Sequence, residues 1–311
     1  IKRLSNPKRP GMLALKEKSS LSGDVTAFDL GFKIGPRVNA SGRLNSAGIA
    51  VELLISEDIE KAKELALTLD RENSRRQAIE SSIMQDAISQ IESNPKIQSL
   101  NSIVLSSPNW HQGVIGIVAS RIVERYRKPA VLISILDTGL GKGSARSLEH
   151  INIHGALSEC RDLFEEFGGH ELAAGLTIKE ENIDEFRKRL DEVISKSRVN
   201  SISNLRIDCA LNLSEINEKL VSELELLSPY GLGNPEPLFL AKSINVISGR
   251  IFKDKHMSLN LMNNGHTLSA IWFNIREPID IPKKIDIVFT PVFNNWNGKR
   301  EIRLNIKDAA W

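Results

Sequence analysis

The sequence predicts an α/β domain followed by a small β-barrel, with one long helix leading into the pair. Strand-like and helix-like segments alternate between residues 100 and 197, which is typical of α/β domains. Five short strand-like runs follow residue 237, and their turn signals are typical of a barrel. Apolar residues recur near helical intervals over residues 57–93. The 311 residues, of which 41% are hydrophobic, are enough for about two domains.

The segment before the long helix, residues 1–56, is typical of the end of a domain rather than of a whole one. The chain opens on Ile1 and not on methionine, so we expect a fragment whose N-terminal portion is missing. Residues 31–44 are rich in Gly, Pro, Asn and Arg and are predicted to form a loop. The long helix, 57–93, is wholly polar over residues 70–76, which predicts a strut that crosses solvent between two domains.

The α/β domain is placed at residues 94–200 and the barrel, with its linker, at 201–311. In the first, strands are predicted at 102–106, 130–135 and 173–178, an extended stretch from 143, and helices at 114–125, 153–167 and 182–196. In the second, strands are predicted at 205–211, 238–251, 257–262, 267–273, 285–293 and 301–306. The turn Asn295–Gly298 contains Asn-Gly between two alternating runs, which is a strong hairpin signal. An OB-like barrel is the expected result.

Positive charge and aromatic side chains are concentrated near the C-terminus, although the whole chain has a net charge of only +2. Residues 242–311 hold eleven Lys and Arg against six Asp and Glu, and seven of the sixteen aromatic residues. Basic and aromatic residues interleaved in this way suit a groove that neutralises phosphates and stacks bases. The alternative is that the aromatic side chains form the core of the barrel.

Composition argues against several other classes of protein. The sequence has no run of about 18 apolar residues and no apolar signal-peptide stretch, so we expect no membrane contact. Cys160 and Cys209 are predicted to be buried free thiols, which suits a cytoplasmic location. Six histidines without cysteine partners argue against a zinc site.

The most distinctive motif is Gly168-Gly169-His170, which lies in the run Phe167–Leu176 together with the small residues Ala173-Ala174-Gly175. Paired glycines allow a backbone to approach a ligand, and their free amides can bind an anion. His170 can donate a hydrogen bond to a phosphate oxygen. The alternative is a tight turn between a helix and a strand, with the histidine as its cap.

Two further runs have the chemistry of phosphate binding. Ser144 and Arg146 fall on one face of an extended segment, and Ser147 follows them. An arginine fork fits a phosphate in bidentate fashion, although a plain surface strand is the alternative. His111 lies between a strand and a helix, where helix N-terminal amides favour an anion, and it either binds a ligand or caps the helix.

The predicted loop at 31–44 carries Arg37, Asn39 and Arg43 between glycines. Its arginines can contact a DNA backbone, and for each of them an ion pair with a carboxylate is the alternative. The sequence contains neither Asp-x-Asp nor Asp-His-His, and no Asp and His set spaced for two metal ions. Phosphodiester hydrolysis at a two-metal centre needs such ligands, so we expect no metal site and no cleavage by this chain alone.

Taken in order, these motifs resemble the RecJ family of the DHH phosphoesterase superfamily over essentially the whole chain. The end of the family's DHH domain is similar to residues 35–44 and 50–54. The three signature stretches of its DHHA1 domain are similar to residues 110–117, 143–147 and 168–170. The entry to its OB-fold domain is similar to residues 227–239. The resemblance implies a DHHA1 domain and an OB-fold domain, joined by the long helix to the C-terminal remnant of a DHH domain.

The resemblance also implies a 5′→3′ exonuclease for single-stranded DNA that acts in repair and recombination with Mn²⁺ or Mg²⁺. Its metal ligands are expected before Ile1, and a single-strand-binding protein or a helicase is an expected partner. Residues expected to hold DNA phosphates are Ser144, Arg146, Ser147, Gly168 and Gly169. Those expected at the scissile bond as catalytic residues are His111 and His170, and those lining the DHH side of the cleft are Arg37, Asn39 and Arg43.

Two other functions stay open at this point. One is a non-catalytic module that binds single-stranded nucleic acid and is natural in this short form. The other is a relative that acts on oligoribonucleotides or nucleotides with the same DHHA1 motifs. The basic, aromatic barrel argues against the second, and tight binding of dinucleotides without a preference for longer strands would favour it.

Overall fold

The computed structural model of the chain describes residues 2–44, 47–198, 205–231, 233–253, 256–273, 275, 280–296 and 299–311. The chain divides into two compact units, Ile1–Ser203 and Asn204–Trp311. The first unit contains a helical N-terminal part, the long helix and a five-stranded sheet, and the second contains the barrel.

The elements are numbered separately for helices and strands. The helices are α1 (Lys2–Ser5), α2 (Pro10–Lys18), α3 (Ala27–Asp29), α4 (Gly35–Leu44), α5 (Gly48–Ile55), α6 (Ile59–Glu92), α7 (Pro95–Ser99), α8 (Ile115–Tyr126), α9 (Ile153–Ser158), α10 (Ile183–Arg198) and α11 (Glu218–Leu226). The strands are β1 (Ile103–Ser107), β2 (Ala130–Ile135), β3 (Leu140–Arg146), β4 (Phe164–His170), β5 (Ala173–Lys179), β6 (Cys209–Ala210), β7 (Phe239–Phe252), β8 (His256–Asn263), β9 (His266–Phe273), β10 (Lys284–Trp296) and β11 (Lys299–Ala310).

Residues 31–44, which the sequence predicts as a loop, are helical, so that prediction is wrong. A π-helical turn, Leu30–Ile34, continues directly into α4. Pro36 has no N–H to donate, and the wider π turn stands just before it. Ala40 is fully buried, and α4 packs against α6. Packing against a neighbouring helix therefore outweighs the weak helix propensity of the glycines and the proline.

The long helix α6 joins two hydrophobic cores. Its first half contributes Ala62, Ala66 and Leu69 to the core of the N-terminal helices. Its second half contributes Ile83, Ala87 and Ile91 to the core of the α/β domain.

The polar centre of α6 is not a solvated strut, because Asn73, Arg76 and Glu80 are buried. Arg76 bonds to both Asn73 and Glu80 at 2.9 and 2.5 Å, and Arg121 of α8 reaches Glu80 at 2.6 Å. The prediction of a solvent-crossing helix fails because the buried carboxylate of Glu80 pairs with both arginines, and a polar stretch of sequence does not reveal such pairing.

The sheet of the α/β domain has the strand order β1-β2-β3-β5-β4. This order places β3 in the centre of the sheet. The strands β1 and β2 are parallel, and the other neighbouring pairs are antiparallel. The predicted helix over 153–167 is only partly correct, because α9 ends at Ser158 and residues 164–170 form β4. Phe164 packs edge-on against Phe186 of α10, so β4 uses its apolar positions as a strand does. Residues 164–170 form a strand and not a helix because they pair with β5, and the local sequence does not encode that pairing.

In the second unit, β7, β8, β9, β11 and β10 pair in that order, and β10 pairs again with β7. These pairings close a five-stranded barrel and confirm the OB-like prediction. The ends of β10 and β11 pair as Trp296 with Lys299, as in the predicted hairpin, although Asn297 and Gly298 lie outside the described residues. The predicted strand at 205–211 is reduced to β6.

Cys160 is buried as expected but Cys209 is exposed, because β6 lies along one edge of the barrel.

Candidate nucleic-acid interface

The central strand β3 presents Lys142, Ser144 and Arg146 on one face and buries Ala145 on the other. This separation follows from the alternation of side chains along a strand. The first turn of α8 lies against the polar face: a Cβ added at Gly116 would be 2.9 Å from Arg146 Nη2 and 3.3 Å from Ser144 Oγ. Glycine at this position therefore leaves room for both side chains beside the helix.

Arg146 is a half-buried cation without a carboxylate partner in the part of the chain that the structure describes. Its Nη1 donates to the carbonyl of Ala145 at 2.7 Å. Burial lowers the pKa of Arg146, and the nearby positive charge of Arg43 lowers it further. An arginine stays charged in a protein, so this site favours an anion that would satisfy both guanidinium groups.

An open cavity of about 430 Å³ adjoins Ser144. Its lining consists of Arg43, Leu44, His111, Gln112, Gly113, Ile115, Lys142, Gly143 and Ser144. Arg43 Nη1 donates to the carbonyl of Gly113 at 3.4 Å, and a Cβ at Gly113 would lie 2.2 Å from the carbonyl of Arg43. The end of α4 and the β1–α8 loop thus meet at a contact that requires glycine.

His111 is oriented by its own loop. The amide of Gly113 donates to His111 Nδ1 at 3.1 Å. In the neutral imidazole this bond places the proton on Nε2, which is then available as a donor. The contact agrees with the capping alternative for Nδ1 and leaves Nε2 for a ligand in the cavity.

The Gly-Gly-His motif lies at the end of β4 and not in a turn between a helix and a strand. Register across the sheet aligns Ser144 with Gly175 and Gly168 in one row. It aligns Arg146 with Ala173 and His170 two positions further on, in the next row on the same face. His170 is exposed in a separate cavity of about 610 Å³. Its lining is formed by Asn152, His154, Gly169, His170, Glu171 and Leu172. The structure therefore does not bring the two predicted catalytic histidines into one cavity.

Glycine is required at 169 for a steric reason. A Cβ there would lie 2.4 Å from the carbonyl of Ala173, and φ is +153°. At Gly168, by contrast, an added Cβ would have no atom within 4 Å, so the sheet surface is open at that position.

Arg37, Asn39 and Ser147, which the sequence also places at the site, line neither of these two cavities. Arg37 bonds to Asp70 at 2.8 Å, which is the structural ion pair considered as an alternative for it. Asn39 is exposed and stands one turn before Arg43 on the same face of α4. The hydroxyl of Ser147 is buried and has no hydrogen-bond partner among the described residues.

Lys142 belongs to the same face but is absent from the predicted site. It lines the cavity, and its Nζ donates to Thr177 Oγ1 at 2.8 Å. The two-residue spacing from Ser144 was the signal that could have identified it.

Within the described ranges, no group of three or more His, Cys, Asp or Glu side chains is placed to hold a metal ion. The donor set of these residues therefore does not fit a two-metal centre. No helix in the described part of the chain is long and apolar enough to cross a membrane.

Comparison with known proteins identifies both units. The DHHA1 domain profile matches residues 99–196, and the RecJ OB domain profile matches residues 207–308. The chain is 36% identical to the single-stranded-DNA-specific exonuclease RecJ of Bacillus subtilis over 99% of its length, and 33% identical to that of Dickeya dadantii over 96%. It spans 40% and 54% of those two proteins.

Solved structures give the same result. RecJ of Thermus thermophilus in complex with Mg²⁺ superimposes with a TM-score of 0.82 and 30% identity, covering 99% of this chain and 47% of that one. The corresponding complex with Mn²⁺ also has a TM-score of 0.82. The chain therefore belongs to the RecJ family, with an OB-fold barrel and with a DHHA1 domain that α6 joins to the N-terminal helices.

Proposed function

We propose that this chain is the substrate-binding part of a 5′→3′ exonuclease that acts on single-stranded DNA in repair and recombination. The observation that carries the proposal is Arg146, a half-buried guanidinium with no carboxylate partner in the described ranges, beside Ser144 and near Arg43. The names of the relatives, which are single-stranded-DNA-specific exonucleases, support the reaction and the substrate.

Ser144 and Arg146 form the proposed phosphate clamp. The arginine offers a planar fork of donors and the serine offers a hydroxyl on the same face of β3, which together fit the oxygens of one phosphate. Arg43 provides a second positive charge at the rim of the adjoining cavity. A clamp that binds the 5′-terminal phosphate would set the polarity of degradation.

The histidines and glycines take the remaining proposed roles. His111 lines the cavity and has Nε2 to donate to a phosphate oxygen near the scissile bond. Gly168 and Gly169 would allow the strand to lie close to the sheet, with His170 beyond them. Asn39 extends the polar surface of α4 that carries Arg43. Arg37 and Ser147 have weaker support, since the first is paired and the hydroxyl of the second is buried.

The cofactor is a further part of the proposal. The Thermus thermophilus structures are complexes with Mg²⁺ and Mn²⁺, and we propose that the parent enzyme uses one of these ions. Since the described residues do not fit a two-metal centre, we propose that residues of the parent enzyme outside them supply the ligands. A cytoplasmic location, and a single-strand-binding protein or helicase as partner, are proposed from the family alone.

Fluorescence anisotropy of the 311-residue chain tests the function. The probes are a 5′-phosphorylated strand of about 20 nucleotides, its 5′-hydroxyl form and the matching duplex, each at two salt concentrations. We expect the phosphorylated single strand to bind tightest and to weaken with salt. Arg146→Ala should lower its affinity by about 1.5–3 kcal/mol, because a charge-assisted hydrogen bond is lost.

Arg125→Ala is the matched control, because it removes one positive charge from α8, where Arg125 pairs with Glu92 at 3.2 Å. It should leave the preference for the 5′-phosphate unchanged. Equal binding of Arg146→Ala and the unmodified chain would remove Arg146 from the site. Dinucleotide binding as tight as that of the long strand would instead favour a small-substrate relative.

A further inference from the structure

The structure sorts the aromatic residues of the barrel into those that serve its core and those that do not. Phe289 is fully buried, and Trp272 packs against the same core. Phe293 is covered by the guanidinium of Arg300, 3.5 Å from the ring centroid. Phe252 and Phe273 lie outside the core of the barrel, and 46% of Phe273 is exposed to solvent.

Phe252, His256 and Phe273 form a continuous aromatic row across three strands. Register places Phe252 of β7 opposite His256 of β8, and His256 opposite Phe273 of β9. The ring centroids are 5.2 and 5.3 Å apart along the row. The next residue along β8, Met257, is buried in the barrel, so alternation turns the aromatic row outwards.

The surface around the aromatic row is cationic and polar. Arg250 is exposed and stands two residues before Phe252, and therefore on the same face of β7. Ser258, two residues beyond His256, continues the face on β8. The described strands β7, β8 and β9 contain no Asp or Glu. Phosphates can therefore approach the rings against little negative charge.

We propose that the aromatic row is a nucleobase-stacking site for single-stranded nucleic acid, with Arg250 binding the adjacent phosphate. The inference rests on the proposed function and specifies which side chains of the barrel contact the bases. Rings that serve only the core are buried, as Phe289 is, whereas Phe273 keeps nearly half of its surface in solvent. Every base has a π-face, so the site binds bases without regard to their sequence.

The test combines a protein variant with a modified ligand. In the 311-residue chain, Phe252→Leu with Phe273→Leu retains apolar side chains but removes the two phenyl π-faces. Its affinity for 5′-phosphorylated oligothymidine should fall about tenfold, as the loss of base stacking predicts. An abasic strand of equal length should bind the unmodified chain and the variant equally, because it has no base to stack.

The control is Phe28→Leu with Phe32→Leu, which removes another stacked and exposed pair, with ring centroids 4.6 Å apart, from the N-terminal helices. This variant should bind oligothymidine as the unmodified chain does. Thermal unfolding of both variants shows whether the fold is retained. If the row variant unfolds, photocrosslinking of 5-iodouracil DNA to the unmodified chain replaces it, with peptides containing Phe252 or Phe273 as the expected products.

The outcomes separate the two proposals. Equal affinity of the row variant and the unmodified chain for oligothymidine, or crosslinks that exclude β7–β9, would overturn the stacking site while the phosphate clamp stands. Loss of the 5′-phosphate preference belongs to Arg146 and should not occur in the row variant. If the unmodified chain binds no single-stranded DNA, both the stacking site and the proposed function fail.

Discussion

Glu80→Gln removes a buried carboxylate from the centre of α6. Glu80 is 2% exposed and lies between two arginines: Arg76 Nη1 is 2.5 Å from one of its oxygens and Arg121 Nη2 is 2.6 Å from the other. After the substitution no carboxylate of the described residues faces Arg76, which is left with neutral acceptors: the amide oxygen of Asn73, at 2.9 Å, and that of the new side chain. Burial already lowers the pKa of Arg76, which shows that its charge is poorly solvated.

The expected loss comes mainly from Arg76. Its side chain is 10% exposed, and breaking a buried ion pair from one side costs about 3–5 kcal/mol, because the other charge is left uncompensated. The side chain of Arg121 is 55% exposed, so water screens it and its share is about 0–1 kcal/mol. We therefore expect Glu80→Gln to destabilise the first unit by about 3 kcal/mol or more.

Hydrogen exchange measured by mass spectrometry is the appropriate assay. The chain has two compact units, so a single unfolding curve does not isolate the free energy of unfolding of the first one. Exchange of peptides that cover residues 70–90 reports opening of α6 directly. Faster exchange there, with unchanged exchange in the barrel, is the expected result.

Glu92→Gln is the matched control on the same helix. Glu92 pairs with Arg125 at 3.2 Å, but both side chains are more than half exposed, so the loss should stay below about 1 kcal/mol. Replacing the buried pair together, Arg76→Met with Glu80→Leu, should restore most of the stability. If Glu80→Gln and Glu92→Gln behave alike, the ion cluster does not stabilise the junction of the two cores.

Three further results are expected. Arg146→Lys keeps the charge but loses the planar fork, so anisotropy should show a reduced preference for a 5′-phosphate; an unchanged preference would mean that charge alone suffices. Gly169→Ala should lower the melting temperature, because its Cβ meets the backbone of β5, whereas Gly168→Ala, with open space around the Cβ, should change it little. Burial raises the pKa of Cys160 to about 11, so at neutral pH a thiol reagent should label exposed Cys209 and reach Cys160 only after denaturation.

Elements with strong local periodicity were predicted well. The buried strand at 130–135 and the strands of the barrel depend on apolar runs and alternation, which neighbouring residues specify. The errors fall where distant partners decide. Residues 31–44 are helical because they pack against α6, and residues 164–170 form a strand because β5 pairs with them.

The candidate site divides in the same way. Alternation along β3 is a property of the chain itself, so the common face of Ser144 and Arg146 was predictable from their spacing. The motifs were also sufficient to indicate the family. Three features of the site were not predictable from the sequence. They are the absence of a carboxylate beside Arg146 among the described residues, the approach of Arg43 to Arg146, and the separation of His111 from His170. Burial and Coulomb interactions act through space between residues far apart in the chain, so they exist only once the helices and the sheet have packed.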